Sequence, residues 1–145
     1  YKKVVAIHHK LLPPLQGLDG KMSSTVEETA IFLDDNEKTV LKKINRFALS
    51  GGQPTTEEQR RKGGNPDVCV VYSWLEILFE EDDSRLDKRK ADCRSGKVLC
   101  GECKRYLAEK ISVALKVHQE NKIKNAPLLQ KYKYTGKLAT KMWKQ

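Results

Sequence analysis

Lys21-Met22-Ser23-Ser24-Thr25 is a short polar stretch with Gly17 and Gly20 on its N-terminal side. Its lysine and hydroxyl side chains are hydrogen-bond donors suited to an anionic group such as a phosphate. The glycines permit this segment, which we call the lysine loop (residues 17–25), to move. Donors that arrive as charge develops stabilise the transition state of a reaction that releases phosphate. A polar surface turn is the alternative, because so short a motif also occurs by chance.

The sequence on both sides of the lysine loop distinguishes these alternatives. The segments that carry the information are Leu11-Leu12-Pro13-Pro14-Leu15-Gln16-Gly17, Glu28-Thr29-Ala30-Ile31-Phe32-Leu33-Asp34-Asp35, Ala48-Leu49-Ser50-Gly51-Gly52, Glu57-Glu58-Gln59-Arg60-Arg61 and Gly63-Gly64-Asn65-Pro66-Asp67-Val68-Cys69. In this order they resemble the tryptophanyl-tRNA synthetases of the archaeal and eukaryotic branch, which are class I aminoacyl-tRNA synthetases. His8 falls where that family places a histidine. The lysine loop then corresponds to the family's signature loop, which closes on ATP.

Two features refine the resemblance. Tyrosyl-tRNA synthetases share the signature loop, but the Ser-Gly-Gly and Gly-Gly-Asn-Pro-Asp runs are not expected in them, so tryptophan is the more specific assignment. The common five-residue version of the loop has a second lysine at the place of Ser24 and a serine at the place of Thr25. Because the second lysine is missing, Lys21 should supply more of the positive charge in catalysis.

The resemblance implies an ATP-dependent ligase that activates tryptophan with ATP and magnesium, releases pyrophosphate and then esterifies tRNA(Trp). Lys21 and Ser23 are the implied catalytic residues, and Lys21 stabilises the pyrophosphate leaving group. The implied ATP-binding residues are Gln16, Gly17, Lys21, Met22, Ser23 and Ser24. Gln16 and Gly17 set the base of the loop, while Ser23 and the backbone of Met22 and Ser24 shape the phosphate contacts.

Contact with tRNA is implied for the region from residue 45 to residue 61. The candidate residues there are Asn45, Gln53, Glu57, Arg60 and Arg61. The net charge of +9 is concentrated at the end of the chain, where residues 101–145 carry eleven Lys or Arg and three Asp or Glu. Such a tail suits a polyanion, because neutralising phosphates releases counterions. A solvated lysine-rich surface is the alternative for these lysines.

The predicted fold is mainly α. Residues 1–33 are interpreted as the end of a nucleotide-binding α/β domain, with its last strand at Val4-Val5-Ala6-Ile7 and the lysine loop. Residues 34–145 are interpreted as an α-helical anticodon-binding domain with a basic tail. The nucleotide-binding His-x-Gly-His motif of the class is missing, so we expect the C-terminal portion of a longer, homodimeric enzyme. Alone, this portion should be unable to make the aminoacyl adenylate.

Local signals predict the helices of the second domain. Asp34 or Asp35 caps a first helix that ends at Gly51-Gly52, and Thr55 caps a second that runs to Lys62. Pro66 opens a buried apolar helix through Phe79, for which a strand over residues 68–72 is the alternative. An acidic run then leads into a helix that ends near Ser95-Gly96. An apolar stripe of Cys103, Leu107, Ile111, Ala114, Leu115 and His118 predicts a long helix from Leu99 to about Lys124, before Pro127.

The four cysteines are Cys69, Cys93, Cys100 and Cys103, of which the last two form a Cys-x-x-Cys pair. Structural zinc sites combine two close couples, and the other two cysteines here are not a couple, so no structural zinc is expected. The chain has no run of about 18 apolar residues and no signal peptide, which predicts a cytoplasmic protein without a membrane contact. Two further functions stay open: a non-catalytic RNA-binding fragment or paralogue, and a tyrosine-tRNA ligase.

Overall fold

The structure is a computed structural model that describes residues 11–132, apart from the side chain of Gln130. Within this range it contains six α-helices and no strand: α1 (Glu37–Phe47), α2 (Thr56–Lys62), α3 (Val70–Trp74), α4 (Asp83–Arg94), α5 (Cys100–Asn125) and α6 (Leu129–Tyr132). Short 3-10 turns span Glu27–Thr29, Pro66–Val68 and Ala126–Leu128, and a π-helical turn spans Leu75–Phe79. The mainly α fold is therefore confirmed. The predicted strand at residues 4–7, His8 and the tail after Tyr132 lie outside the described residues.

The core is built where α1 and α3 pack against the long helix α5. Val40 and Ile44 on α1 are fully buried, and they lie one turn apart on the same helix face. Leu107 and Ile111 take the equivalent place on α5. Full burial of each such aliphatic side chain contributes about 1.5–3 kcal/mol, so this contact holds the helices together.

The segment before α1 shares this core. Leu15 is fully buried, and its backbone N–H donates to the carbonyl of Thr29 at 3.0 Å while its own carbonyl accepts from the N–H of Leu49 at 2.7 Å. The buried indole Nε1–H of Trp74 donates to the carbonyl of Pro13 at 2.9 Å. The lysine loop therefore emerges from a base that is fastened to the helical core. The domain boundary between residues 33 and 34 stays a prediction.

The start and end of α1 were predicted wrongly. The N-cap is Asn36, whose Oδ1 accepts from the N–H of Thr39 at 2.9 Å. Asp35 has other partners, because its Oδ2 accepts from Lys43 Nζ and from the N–H of Phe32, each at 2.8 Å. The helix ends at Phe47, before the glycine pair that was expected to end it.

The other helix predictions hold with small changes. Thr55 caps α2 by accepting from the N–H of Glu58 at 3.2 Å, as expected. The apolar segment after Pro66 is helical and buried, which excludes the strand alternative, although it divides into a 3-10 turn, α3 and the π-helical turn. On α5, Ala108 is buried, whereas Ala114 and His118 are exposed, so the predicted stripe was wrong at those two positions.

The two ends of helix α5 contact different segments of the chain. Its first turn lies beside the loop before α2, where Leu99 and Cys100 line a depression together with Gln53. Near its other end, Gln119 Nε2 donates to the carbonyl of Leu33 at 2.9 Å, and Lys122 Nζ donates to the carboxylate of Asp34 at 2.8 Å. None of the helices described here is long and apolar enough to cross a bilayer.

Candidate nucleotide and tRNA contact sites

The lysine loop leaves the core through a tight turn. The N–H of Gly17 donates to the carbonyl of Pro14 at 3.3 Å, directly before the exposed part of the loop. Gly20 has a φ of 97°, a left-handed conformation that residues with a Cβ rarely adopt. A glycine at this position therefore sets the direction in which the chain approaches Lys21.

Ser23 is held by Thr29, in the 3-10 turn that follows the lysine loop. Its backbone N–H donates to Thr29 Oγ1 at 3.0 Å, and the Thr29 hydroxyl lies 3.2 Å from the carbonyl of Ser23. The Ser23 and Thr25 hydroxyls are 2.9 Å apart in a hydrogen bond in which either oxygen serves as donor. The Ser23 hydroxyl can therefore turn its proton towards a ligand while Thr25 donates to it.

The remaining donors of the loop have no partner among the residues described. Lys21 is exposed and makes no ion pair or hydrogen bond within residues 11–132. The backbone N–H groups of Met22 and Ser24 also lack an acceptor within that range. The Met22 side chain packs against the core and anchors the loop between these donors. The loop thus presents an ammonium group and two N–H groups on a short, anchored segment.

Gln16 and Gly17 lie at the base of the loop. Gln16 is exposed, and a Cβ on Gly17 would meet no atom within 4 Å. A larger residue would therefore fit at position 17 without a steric clash. Gly17 is the first residue of the lysine loop, and Gln16 directly precedes it.

The candidate tRNA residues on α2 form one charged surface. Glu57, Arg60 and Arg61 are exposed, and neither arginine has an ion-pair partner among the residues described. The neighbouring Lys62 is paired with Glu58 at 3.0 Å. Two guanidinium groups on α2 are therefore available to a phosphate or a base edge.

Gln53 has a structural task beside any contact with RNA. Its backbone N–H donates to Gln59 Oε1 at 2.7 Å, and its side-chain Nε2 donates to the carbonyl of Gly63 at 3.1 Å. These bonds tie the loop before α2 to the turn after it. The side-chain oxygen and the second N–H of Nε2 have no partner among the described residues and are left for a base.

Asn45 lies on the exposed face of α1, away from the other candidates in sequence. Its carbonyl accepts from Lys104 Nζ at 3.0 Å, which links α1 to the start of α5. Burial lowers the pKa of Lys104, with nearby cysteines opposing the shift. The Asn45 side chain itself has no hydrogen bond to a described residue.

The sequence interpretation missed one part of this surface. A groove between the start of α2 and the start of α5, which we call the α2–α5 groove, is lined by Gln53, Pro54, Thr55, Thr56, Gln59, Leu99, Cys100, Gly101, Glu102 and Arg105. Arg105 is exposed there and adds a cation across from α2. Its position on the polar face of a long amphipathic helix was the available signal, but only the fold shows that this face adjoins α2.

Comparison with known proteins gives a consistent result. The model of the family described as tRNA synthetases class I (W and Y) matches residues 1–116. The tryptophan–tRNA ligase of Pyrococcus furiosus is 56% identical over 143 residues, which cover 99% of this chain and 37% of that protein. The tryptophan–tRNA ligase of Pyrococcus horikoshii is 52% identical over 145 residues, or 100% of this chain and 38% of that protein. The chain thus spans a little over a third of the length of these relatives.

Solved structures agree with the sequence relatives. The crystal structure of tryptophanyl-tRNA synthetase from the archaeon Aeropyrum pernix K1 is 40% identical and has a TM-score of 0.81, covering 90% of this chain and 35% of that one. The tryptophanyl-tRNA synthetase of Giardia lamblia is 43% identical with a TM-score of 0.74, covering 77% of this chain and 27% of that one. The chain therefore belongs to the class I tRNA synthetases of the tryptophan and tyrosine family, and its relatives are tryptophan–tRNA ligases, as the resemblance implied.

Proposed function

We propose that this chain is the C-terminal portion of a tryptophan–tRNA ligase and supplies two of its working parts: the loop that closes on ATP and the helical surface that binds tRNA(Trp). The observation that carries the proposal is the exposed Lys21, beside loop N–H groups without a described acceptor, in a chain of which 99% matches a tryptophan–tRNA ligase. The complete enzyme acts in the cytoplasm as a homodimer whose interface lies mainly outside this chain. Its substrates are tryptophan, tRNA(Trp) and ATP bound to magnesium.

In the first step, a carboxylate oxygen of tryptophan attacks the α-phosphorus of ATP. The bond from that phosphorus to the bridging oxygen breaks, and pyrophosphate leaves with the electron pair as tryptophanyl adenylate forms. Negative charge therefore grows on the leaving oxygens, and groups that meet this charge accelerate the step. No general base is needed, because the attacking carboxylate is already ionised.

The lysine loop suits this task. The Lys21 ammonium group has no partner in the described part of the chain and supplies the positive charge. The N–H groups of Met22 and Ser24, which have no acceptor among residues 11–132, and the hydroxyl of Ser23 supply hydrogen bonds. Gln16 and Gly17 place the start of the loop. Because the loop is fastened at Leu15 and Thr29, closure needs only its exposed part to move.

The test of this role is Lys21→Ala in the full-length enzyme, measured by tryptophan-dependent exchange of pyrophosphate into ATP. Loss of one such donor typically lowers the rate constant about 100- to 1,000-fold. We expect kcat to fall by that factor with a smaller change in the KM for ATP, because the contact strengthens in the transition state. Lys38→Ala, an exposed lysine on α1, is the matched control and should retain the wild-type kcat. A raised KM with unchanged kcat would reject the transition-state role.

The tRNA surface comprises α2, its preceding loop and the α2–α5 groove. Asn45, Gln53, Glu57, Arg60 and Arg61 are the candidates for contacts that read the anticodon. The tail lysines from Lys116 to Lys144 attract phosphate without reading sequence, because the charge of a phosphate is the same at every nucleotide. Base recognition and phosphate attraction are thus assigned to different parts of the chain.

This division predicts different binding behaviour for two sets of variants. Arg60→Gln should cost about 1–3 kcal/mol of preference for tRNA(Trp) over a non-cognate tRNA, since a base-edge contact is lost. Neutralising several tail lysines should weaken both tRNAs equally and flatten the dependence of the Kd on salt. If the two sets change salt dependence and tRNA preference alike, the anticodon assignment fails and a generic RNA-binding role is favoured.

A further inference from the structure

Lys43 on α1 is buried, at 7% exposure, although lysine is among the residue types least often buried. Its Nζ lies 2.8 Å from Asp35 Oδ2 and 4.2 Å from the centre of the Phe32 ring. The side chain of Asp35 is 11% exposed, so both charges are largely removed from water. Lys43 also lines a cleft beside Glu27 and Glu28, in the 3-10 turn that follows the lysine loop. Neither the ATP contacts of the lysine loop nor the tRNA surface accounts for this buried ion pair.

Stability alone does not explain a buried ion pair. Removing two charges from water has a cost that offsets much of their attraction, and two apolar residues of similar size usually stabilise a fold as well or better. An ion pair instead requires contact between particular atoms, here one ammonium group and one carboxylate oxygen. The consequence of the pair therefore lies in the segment whose position it fixes.

That segment is a tight turn over residues 32–35, which we call the stem turn. The N–H of Asp35 donates to the carbonyl of Phe32 at 3.0 Å, and Asp35 Oδ2 accepts in return from the N–H of Phe32 at 2.8 Å. Gln119 on α5 holds the other side of the turn, where its Nε2 donates to the carbonyl of Asp35 at 3.3 Å. Lys43 contacts the Phe32 ring and the carboxylate that binds the Phe32 N–H. Lys43 thus holds the side of the stem turn that is nearest to the lysine loop.

The stem turn is joined to the lysine loop by a short packed segment. Only Ala30 and Ile31 separate it from Thr29. Ala30 is 6% exposed and Ile31 packs against the core, so neither can absorb a shift freely. Thr29 Oγ1 then accepts from the N–H of Ser23 at 3.0 Å. A displacement of the stem turn is therefore passed to the residues beside Lys21.

We propose that Lys43 is a positioning residue for adenylate formation: its buried pair with Asp35 fixes the C-terminal stem of the lysine loop and thereby the place of the Lys21 ammonium group at the phosphates. This inference rests on the proposed function of the loop. Lys43 touches no substrate in this scheme, because its ammonium group is buried against Asp35 and Phe32. A misplacement of about 1 Å in a reacting site costs about 100-fold in rate, so a shift of the stem turn has a measurable effect.

The test is the double variant Asp35→Asn/Lys43→Met in the full-length enzyme, which we call the neutral-pair variant. It leaves no unpaired buried charge, and the asparagine oxygen can still accept from the N–H of Phe32, so the melting temperature should stay close to that of the wild type. In tryptophan-dependent pyrophosphate exchange, kcat should fall about 10- to 100-fold with a smaller change in the KM for ATP. The matched control is Asp34→Asn, which removes the neighbouring carboxylate and its exposed pair with Lys122 and should retain the wild-type kcat.

A double-mutant cycle separates positioning from a general weakening of the fold. If Lys43 acts through Lys21, the neutral-pair variant should change kcat less than about twofold when Lys21→Ala is already present. A general weakening would lower kcat by the same factor with or without Lys21. Equal factors in the two backgrounds would therefore overturn the inference.

Two further results decide the matter. A wild-type kcat in the neutral-pair variant, with a reduced kcat in Lys21→Ala, would overturn this inference and leave the proposed function intact. A wild-type kcat in Lys21→Ala would refute the proposed function and the inference together.

A second variant covers the case in which the neutral-pair variant does not fold. Thr29→Val removes the hydroxyl that holds Ser23, further along the same route and outside the buried pair. It should lower kcat in the wild-type background and leave it nearly unchanged in the Lys21→Ala background. A wild-type kcat in Thr29→Val would show that the stem does not position Lys21, and would overturn the inference.

Discussion

Replacing Trp74 by phenylalanine should loosen the attachment of the lysine loop to the helical core. The indole N–H and the carbonyl of Pro13 are joined at 2.9 Å across a sequence separation of 61 residues, and Trp74 is 2% exposed. Phenylalanine keeps an aromatic ring against Phe79 but leaves the carbonyl without its donor. An unsatisfied buried group costs about 1–3 kcal/mol, which corresponds to roughly a 5- to 140-fold change in an opening equilibrium.

Hydrogen exchange measures this opening locally in the full-length enzyme. The N–H groups of Leu15 and Leu49 bond to the carbonyls of Thr29 and Leu15, so they exchange when residues 11–15 lift away from the helices. Trp74→Phe should accelerate their exchange by the factor above. Tyr72→Phe removes a hydroxyl with no described hydrogen-bond partner from the same helix and should change exchange little. If Leu15 and Leu49 exchange at wild-type rates in Trp74→Phe, the bond does not hold the loop base.

Three further outcomes are expected. A hydrogen bond from Tyr106 holds the pKa of Glu80 below its usual value. Glu80 therefore stabilises the fold fully above about pH 4.5 and loses this effect as the pH falls through its lowered pKa. Glu80→Gln should make the melting temperature less dependent on pH between pH 5 and 3, and a pH dependence equal to that of the wild type would contradict this. Gly63→Ala should destabilise the fold, because Gly63 has a φ of 71° and an added Cβ would collide with the carbonyl of Arg94. Gly101→Ala should not, because an added Cβ there would meet no atom within 4 Å. Equal melting temperatures of the two variants would refute this contrast. Asn36→Ala should lower the free energy of unfolding by about 1 kcal/mol, because the N-cap of α1 is lost. Chemical denaturation measures this loss. An unchanged free energy would mean that a neighbouring aspartate replaces Asn36 as the cap.

Local sequence signals predict an element correctly where the deciding residue has no competing partner. The Thr55 hydroxyl accepts only from the N–H of Glu58 among the described residues, and the run after Pro66 is mostly apolar over a length that exceeds a typical strand, so both predictions hold. At α1 three capping residues are consecutive, and Asp35 is taken by Lys43 and the N–H of Phe32. Nothing in the local sequence shows that competition, which is why the predicted N-cap of α1 was wrong.

Contacts between residues far apart in the chain could not be predicted from the sequence. The cysteines were judged by linear spacing, where Cys69 and Cys93 stand alone, but the turn at Gly96 and the short helix before α3 return them to Cys100 and Cys103. Gln59 sits among charged residues on a short polar helix, yet it is buried by the loops that flank α2. Its burial depends on Gly52 and Gly64 packing against it, which no periodicity indicates.

Helix α5 works as a spacer of fixed length. Its 26 residues extend about 39 Å, from the α2–α5 groove at its start to the last turns, where Lys122 bonds to Asp34. One inserted residue in its exposed middle would rotate everything beyond it by about 100° and would carry Gln119 and Lys122 away from Leu33 and Asp34. The number of residues in α5 is therefore fixed by these contacts, whereas exposed side chains without a described partner, such as Val113, can vary in identity.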